Sequence, residues 1–233
     1  MLRVHSIFMS ISGESGLITQ GSNAIFIRLQ GCNLRCSYCD TVETQAREGG
    51  KEYTPSEILA MVQYYQRLTR HIIITGGEPL LQRSALVELV DKLSNHGFVL
   101  QIETNGTIPV FREYSKEALV HWVVDSKNPG TRTQIALENQ VRELEQVSAD
   151  IKFIFRDTQD VDRMLEECVL YIEAGFTGGF LFSPCFDEEQ NILVTPATFE
   201  YLTDMLLLYG NNHPILFEKS AINLQIHKIC KLP

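Results

Sequence analysis

Three cysteines within eight residues are the part of this sequence with the clearest capacity for chemistry. Cys32, Cys36 and Cys39 directly follow an apolar run at 24–29. Thiolates are the usual protein ligands of iron–sulfur clusters, and three of them leave one iron of a [4Fe–4S] cube without a protein ligand. An open coordination position is where a metal centre reacts. The spacing therefore indicates a cluster with one reactive iron.

Two other interpretations of these cysteines stay open at this point. A structural zinc site needs four ligands, and no fourth Cys or His lies nearby, although folding could bring His5 or His71 close. The thiols could also be clustered by chance. The remaining cysteines are scattered through the chain, and we expect ordinary buried or half-buried thiols at Cys168, Cys185 and Cys230.

Size and charge limit the class of protein and of partner. A chain of 233 residues suits one large domain, so we expect a single domain over 1–233. A net charge of -9 without a cluster of Lys and Arg argues against binding to a nucleic-acid backbone. No signal segment or bilayer-spanning apolar run is apparent. We therefore expect a cytoplasmic protein with reduced thiols, no membrane contact and a small-molecule partner.

Alternating strand and helix patterns predict the frame that positions the cysteines. Short apolar runs predict parallel strands at 24–29, 71–75, 98–103, 121–125, 149–155 and 179–183, with a seventh candidate at 215–218. Helices are predicted at 81–95, 135–146, 160–174 and 196–209, and after Thr54, whose capping box with Glu57 indicates a helix start. This α/β pattern suits an incomplete (β/α) barrel of about six strands better than an open doubly wound sheet, although the pattern alone does not separate the two.

Polar segments follow several of the predicted strands, at the end where barrels carry their active sites. In Thr75-Gly76-Gly77-Glu78-Pro79, the glycines permit close backbone approach to a ligand and Glu78 could accept hydrogen bonds from an ammonium group. The alternative is a plain strand-to-helix turn with an acid near the helix start. The other strand ends contribute candidate ligand contacts that could equally form turns: Thr104, Asn105, Asp125, Ser126, Lys127, Ser183, Pro184, Cys185 and Phe186.

Arg28 places a charge inside the first apolar strand. A charge in such a run is seldom buried without a partner. Either Arg28 pairs with an acid such as Glu14, or its planar guanidinium points into the cavity and binds an anionic ligand. We favour the second interpretation.

These motifs resemble the radical S-adenosylmethionine (SAM) superfamily. The resemblance rests on Cys-x3-Cys-x2-Cys after the first strand and on the Gly-Gly-Glu-Pro segment. It implies a radical SAM core, with a [4Fe–4S] cluster on Cys32, Cys36 and Cys39 whose open iron chelates SAM. Cleavage of SAM then gives a 5′-deoxyadenosyl radical that abstracts hydrogen from a substrate. The resemblance also implies that Gly77 and Glu78 hold the amino group of SAM, with the other strand-end residues around its ribose, carboxylate and adenine.

Longer segments are similar to one family within that superfamily, the 7-carboxy-7-deazaguanine synthases of queuosine and deazapurine biosynthesis. The similarity is strongest at 11–41, 72–79 and 101–107 and includes the ending at 225–233. It implies a lyase that contracts the ring of 6-carboxy-5,6,7,8-tetrahydropterin and releases ammonia, with Mg²⁺ held by Thr41. It further implies a homodimer and an external electron donor such as flavodoxin. The implied substrate contacts are Ile11, Ser12, Gly13, Glu14, Arg28, Thr75 and, on a docked C-terminal tail, the carboxylate of Pro233.

Two positions depart from the pattern of that family. Ser12 stands where a glutamine is common, and Asp125-Ser126-Lys127 replaces Ser-Pro-Lys. The alternatives are therefore a radical SAM enzyme that acts on another small substrate, or a glycyl-radical-enzyme activase, which must open its site to a protein loop. A non-catalytic iron–sulfur or zinc module is the alternative that is not an enzyme.

Overall fold

The computed structural model describes residues 1–114, 118–127, 134–186, 191–230 and 232. Its strands are β1 (Leu2–Ile11), β2 (Asn23–Leu29), β3 (Lys51–Tyr53), β4 (His71–Gly76), β5 (Val99–Thr104), β6 (Val120–Asp125), β7 (Ser148–Phe155), β8 (Gly179–Pro184) and β9 (Ser220–Ile222). Its helices are α1 (Pro55–Gln63), α2 (Arg83–Asn95), α3 (Gln134–Leu144), α4 (Thr158–Glu173), α5 (Pro196–Gly210), α6 (Pro214–Glu218) and α7 (Ile226–Ile229), with 3₁₀ turns at Val42–Thr44 and Pro79–Gln82.

The strands form one sheet in the order β3-β1-β2-β4-β5-β6-β7-β8-β9. All neighbours from β2 to β9 are parallel, whereas β1 and β3 run antiparallel at one edge. Within the described part of the chain, the edge strands β3 and β9 do not pair, so the sheet stays open. The predicted incomplete barrel is confirmed.

Alternation along β2 explains how a strand that is buried on both faces can also present a charge. Ile25, Ile27 and Leu29 belong to the large core between the sheet and the helices. Ala24 and Phe26 point to the opposite, concave face and pack with Ile18 and Ile73 in a second core. Successive side chains of a strand point to opposite faces. Arg28 therefore continues the row of Ala24 and Phe26, and lies on the concave face.

The six predicted strands and the capping box are confirmed. Thr54 Oγ1 accepts a hydrogen bond from Glu57 N at 3.2 Å, and Glu57 Oε2 accepts one from Thr54 N at 2.7 Å, at the start of α1. None of the described helices is long and apolar enough to cross a membrane.

The seventh predicted strand is wrong, because 215–218 lies in α6 and the strand follows it as β9. Pro214 occupies the first turn of α6, where its fixed φ and missing N–H are favourable. A short apolar run cannot by itself distinguish a helix from a strand. Strands β1 and β3, for which the apolar runs gave no prediction, extend the sheet beyond β2.

Candidate functional site

A cavity of about 1120 Å³, measured out to its open mouth, lies at the carboxyl ends of the parallel strands. Most of the predicted site residues line it: Cys32, Cys36, Cys39, Thr41, Gly77, Thr104, Asn105, Asp125, Lys127, Gly13, Glu14, Arg28 and Thr75. These residues come from the strand ends, from the cysteine loop after β2 and from the loop after β1. The sheet thus gathers the predicted cofactor and substrate residues around one space.

Backbone hydrogen bonds fix the cysteine loop at one end of this cavity. Gly31 N donates to Thr44 O at 2.7 Å and Cys32 N donates to Gln45 O at 3.2 Å. The side chain of Asn105, at the end of β5, donates to Asn33 Oδ1 at 2.9 Å. The loop is thereby attached both to the segment that follows it and to a strand end.

The three thiols are free and half-buried, and they surround the same end of the cavity. Among the described residues, no three His, Cys, Asp or Glu side chains converge as the ligands of a single metal ion would. Burial raises the pKa of the Cys36 thiol, and Lys127 opposes that shift. A donor set made of three thiols fits an iron–sulfur cluster, for which thiolates are the usual ligands.

The two glycines of the Gly-Gly-Glu-Pro segment pack against the backbone that leads into the cysteine loop. A Cβ on Gly77 would lie 2.1 Å from Gly31 O, so no larger residue fits there without a shift. Gly76 has φ +122°, a conformation that other residues rarely adopt. Gly77 N donates to Leu29 O at 3.0 Å and Glu78 N donates to Gly31 O at 2.8 Å. The glycines thus hold two strand ends together as well as lining the cavity.

The Glu78 carboxylate is fully buried and binds protein groups rather than facing the cavity. It accepts hydrogen bonds from Leu80 N (2.9 Å), Thr104 Oγ1 (2.9 Å) and Asn105 N (2.8 Å). Burial nevertheless raises its pKa, and these three donors oppose that shift. In this position Glu78 ties the end of β4 to the end of β5. Its predicted contact with an ammonium group stays a prediction.

Two acids and two bases form a chain of ion pairs across the cavity floor. Lys152 Nζ lies 2.6 and 2.7 Å from the two oxygens of Glu14 and 3.5 Å from Asp125 Oδ1. Lys127 Nζ lies 2.6 Å from Asp125 Oδ2. Burial would raise the pKa of Asp125, but Lys127 and Lys152 outweigh it and lower that pKa. The two carboxyl groups and the two amino groups thus lie in alternation and can balance one another's charges.

Glu103 lies beside these ion pairs, and its pKa is shifted in the opposite direction to that of Asp125. Burial and the nearby charge of Glu14 raise its pKa to about 8, although Lys152 and Thr75 oppose the shift. Its side chain therefore holds a proton to higher pH than an ordinary carboxyl group does, and in the protonated form it can donate a hydrogen bond.

The raised pKa of Glu103 predicts a pH-dependent stability. A Glu whose folded pKa lies above its unfolded pKa costs stability as the pH rises from the unfolded value of about 4.5 through about 8. Glu103→Gln mimics the protonated form at every pH. Wild type should therefore lose on the order of 2–4 kcal/mol relative to Glu103→Gln between about pH 5 and 9.

Apparent unfolding temperatures of both proteins, measured at one scan rate across this pH range, test the prediction. Parallel curves for wild type and Glu103→Gln would show that Glu103 is already ionised in the folded protein.

Arg28 faces the cavity, and no acidic side chain among the described residues pairs with it. Its guanidinium carbon lies 5.1 Å from the centre of the Phe8 ring, which stacks on Phe26, and its Nε is buried without a hydrogen bond in the described structure. Glu14, the acid considered as its partner, binds Lys152 instead. Among the described basic groups of the cavity wall, Lys127, Lys152 and Lys228 are paired with acids. Arg28 is thus the cation available for an anionic ligand.

The segment after β9 covers part of the cavity. Lys228 Nζ lies 2.9 Å from Asp40 Oδ2, next to Cys39, and 5.0 Å from the centre of the Phe186 ring. His227 also lines the cavity, and burial lowers its pKa, so it is neutral at pH 7. A Cβ on Gly13 would lie 1.5 Å from His227 Nδ1, so only glycine fits opposite this ring.

Several predicted residues do not line the cavity: Ile11, Ser12, Ser126, Ser183, Pro184, Cys185 and Phe186. Ser12 Oγ donates to Glu14 O at 2.8 Å, and Ser126 Oγ donates to Glu167 Oε1 at 2.6 Å. Ser183 Oγ accepts from Asn223 Nδ2 at 3.0 Å. These three hydroxyl groups are hydrogen-bonded within the protein, and the predicted ligand contacts of all seven residues stay predictions. Pro233 lies outside the described residues.

Several cavity residues that carry charge or donors had no predicted role, among them Glu103, Lys152, Gln225 and His227. Lys152 interrupts an apolar strand just as Arg28 does, so the same signal could have identified it. Glu103 lies at the end of the strand predicted at 98–103, but no role was predicted for it. Gln225 and His227 lie in the ending at 225–233, for which a docked tail was predicted without roles for these two residues.

Comparison with known proteins gives consistent matches. Residues 26–190 match the family model described as the radical SAM superfamily. A protein of Methanospirillum hungatei named 7-carboxy-7-deazaguanine synthase is 36% identical to this chain, and the match covers 69% of this chain and 64% of the length of that protein. A protein of Koribacter versatilis with the same name is 32% identical over 81% of this chain and 80% of its own. The chain spans only 40–64% of the length of several such relatives.

The structure of Streptococcus suis SuiB bound to precursor peptide SuiA has a similar fold. Its TM-score is 0.63 at 14% identity, over 86% of this chain and 48% of SuiB. At this identity the similarity concerns the fold alone.

Proposed function

Because the chain belongs to the radical SAM superfamily and, within it, to the family of 7-carboxy-7-deazaguanine synthases, we propose that it contracts the ring of 6-carboxy-5,6,7,8-tetrahydropterin to 7-carboxy-7-deazaguanine and releases ammonia. Membership in the superfamily implies a [4Fe–4S] cluster and SAM, and disfavours a zinc module.

Cys32, Cys36 and Cys39 would hold the cluster at the end of the cavity that they surround. When bound and reduced, the cluster with SAM supplies a carbon radical that removes hydrogen from a substrate. Because the cofactors carry this chemistry, the protein has to bind and orient the cofactors and the substrate and shield them from water. We assign the backbone at Gly77 and the side chains of Thr104, Asn105 and Lys127 to SAM, because they lie on the cavity wall next to the cysteine loop.

Other residues of the cavity wall provide the polarity that a carboxylated pterin requires. Arg28 would bind the substrate carboxylate, since its guanidinium has a planar fork and pairs with no acid of the described segments. Glu14 accepts hydrogen bonds, whereas Glu103, whose pKa is raised, would donate one when it is protonated. A pterin edge carries both N–H donors and a carbonyl acceptor, so this pair matches it. Phe26 gives that wall an apolar patch for the ring.

We further propose that Mg²⁺ binds at Thr41, which lines the cavity near Cys39. One hydroxyl is a weak site alone, but Mg²⁺ commonly keeps water and substrate oxygens as most of its ligands. A cytoplasmic location, a homodimer and an electron donor such as flavodoxin belong to the same proposal and rest on family membership.

The observation that supports this function most strongly is that Arg28, which has no acidic partner in the described part of the chain, opens on the same cavity as the three thiols. A cluster-bound SAM and a small anionic substrate could therefore meet there. The departures at Ser12 and Asp125 do not oppose it, because Ser12 binds Glu14 O and Asp125 is neutralised by Lys127 and Lys152.

Mass spectrometry of an anaerobic reaction tests the proposal. The reconstituted protein is mixed with reductant, SAM, Mg²⁺ and the carboxypterin, and parallel reactions lack Mg²⁺ or SAM. We expect the deazapurine product only with SAM, and in larger amount with Mg²⁺. Formation of 5′-deoxyadenosine without any deazapurine would assign the site to another small substrate.

A further inference from the structure

Gln225 has an unusual backbone conformation. Among the described residues other than glycine, it alone has positive φ, with φ 48° and ψ 58°. This left-handed region is unfavourable for residues with a Cβ, and Asn, Asp and Gly are the usual occupants. Such an outlier persists when surrounding contacts determine it, and it often occurs at functional sites.

The strained backbone of Gln225 brings its side chain into hydrogen-bond contact with Glu14. Gln225 is buried and lines the cavity. Its Nε2 donates to Glu14 Oε1 at 2.6 Å, across 211 positions of sequence. The next residue extends the same contact, because Ile226 N donates to Gly13 O at 3.2 Å. The left-handed turn thus directs two consecutive donors at two consecutive residues of the loop after β1.

The hydrogen bond decides which oxygen of Glu14 stays available. Oε1 receives both Gln225 Nε2 and Lys152 Nζ, whereas Oε2, among the described residues, receives only Lys152 Nζ at 2.7 Å. Each carboxylate oxygen has two lone pairs. Oε1 is therefore filled and Oε2 keeps one acceptor position. Since Glu14 lies on the cavity wall, that position can accept an N–H group of a ligand.

We propose that Gln225 is a positioning residue that orients Glu14 to accept an N–H donor of the substrate. This inference rests on the proposed function for the identity of the substrate, whose pterin edge supplies such donors. Gln225 acts through Glu14, because its side-chain amide donates the hydrogen bond that holds the Glu14 carboxylate in place. The strained backbone is retained because it brings that amide to Glu14.

Replacing Gln225 by glycine and by alanine separates the amide from the backbone. Both variants lack the amide, but glycine accepts the left-handed conformation and alanine does not. Gln225→Gly should therefore unfold about 3 °C above Gln225→Ala. Gln225→Gly should raise the KM for the carboxypterin about tenfold, because Glu14 loses its orienting donor. Its kcat and its substrate-free formation of 5′-deoxyadenosine should stay within about twofold of wild type.

Gln66→Ala is the matched control, since the Gln66 amide donates to His96 O at 3.1 Å outside the cavity. It should leave the KM unchanged. A wild-type KM in Gln225→Gly would overturn the inference, because the amide would then have no role in binding. Equal unfolding temperatures of the glycine and alanine variants would overturn the argument from backbone strain. If Gln225→Gly does not fold, Gln225→Asn tolerates the same backbone but is one methylene too short to reach Glu14, and the same KM increase is expected.

Failure of the proposed function would be recognised separately. If wild type forms 5′-deoxyadenosine but does not convert the carboxypterin, the substrate is wrong. Gln225 is then tested by the crystal structure of Gln225→Gly, in which the Glu14 carboxylate should rotate about its terminal torsion. A Glu14 carboxylate that keeps its wild-type orientation would contradict the inference.

Discussion

Replacing Cys36 by alanine is expected to abolish cluster assembly and SAM cleavage while leaving the fold intact. Cys36 is half-buried in a loop and takes no part in either hydrophobic core. The loop backbone is held by hydrogen bonds from other residues, such as Gly31 N to Thr44 O. Two remaining thiols cannot hold a cube that needs three corners bound. Iron and sulfide content and anaerobic formation of 5′-deoxyadenosine should both fall to background.

Cys230→Ala is the matched control, because Cys230 is an exposed thiol that does not line the cavity. It should retain full iron content and full SAM cleavage. Near-wild-type iron content and SAM cleavage in Cys36→Ala would contradict the assignment of the three cysteines.

Replacing Arg28 by methionine is expected to weaken substrate binding by about 10²-fold. Methionine keeps an apolar stem against Phe8 but removes the charge. A charged hydrogen bond to a carboxylate contributes about 3 kcal/mol when it is well formed, which corresponds to about 10²-fold in KM. Substrate-free SAM cleavage should stay within about twofold of wild type. Steady-state kinetics with the carboxypterin and an assay of 5′-deoxyadenosine measure the two effects.

Arg83→Met controls for the loss of an arginine above an aromatic ring. The Arg83 guanidinium carbon lies 5.4 Å from the centre of the Phe111 ring, outside the cavity. Arg83→Met should therefore leave the KM unchanged. Loss of both SAM cleavage and substrate binding in Arg28→Met would mean that Arg28 has a structural role.

The strands were predictable because their apolar runs are buried on both faces. In β2, residues 24–29 contribute to the core under the helices and to the concave core, so the signal is continuous. β1 lacks such a run because much of it is only half-buried. The run at 215–218 was misinterpreted since its apolar residues pack in a helix that Pro214 begins.

The sequence predicts which residues line the cavity better than it predicts which of them contact one another. Strand alternation puts Arg28 on the concave face, and strand-end chemistry gathers Thr75, Asp125 and Lys127 there. Which base pairs with Glu14 depends on a contact between residues 138 positions apart, and Lys152 makes it instead of Arg28. Local sequence contains no information on such a choice. The left-handed turn at Gln225 is equally hidden, because glutamine is not a residue that favours that conformation.

The account depends on three cysteines that hold a cluster with one iron open to SAM. Electron paramagnetic resonance of the reduced, anaerobically reconstituted protein tests this directly, before and after SAM is added. We expect the signal of a reduced [4Fe–4S] cluster, and a change in that signal when SAM binds. Bound zinc without a cluster signal, or a cluster signal that SAM does not alter, would contradict the account.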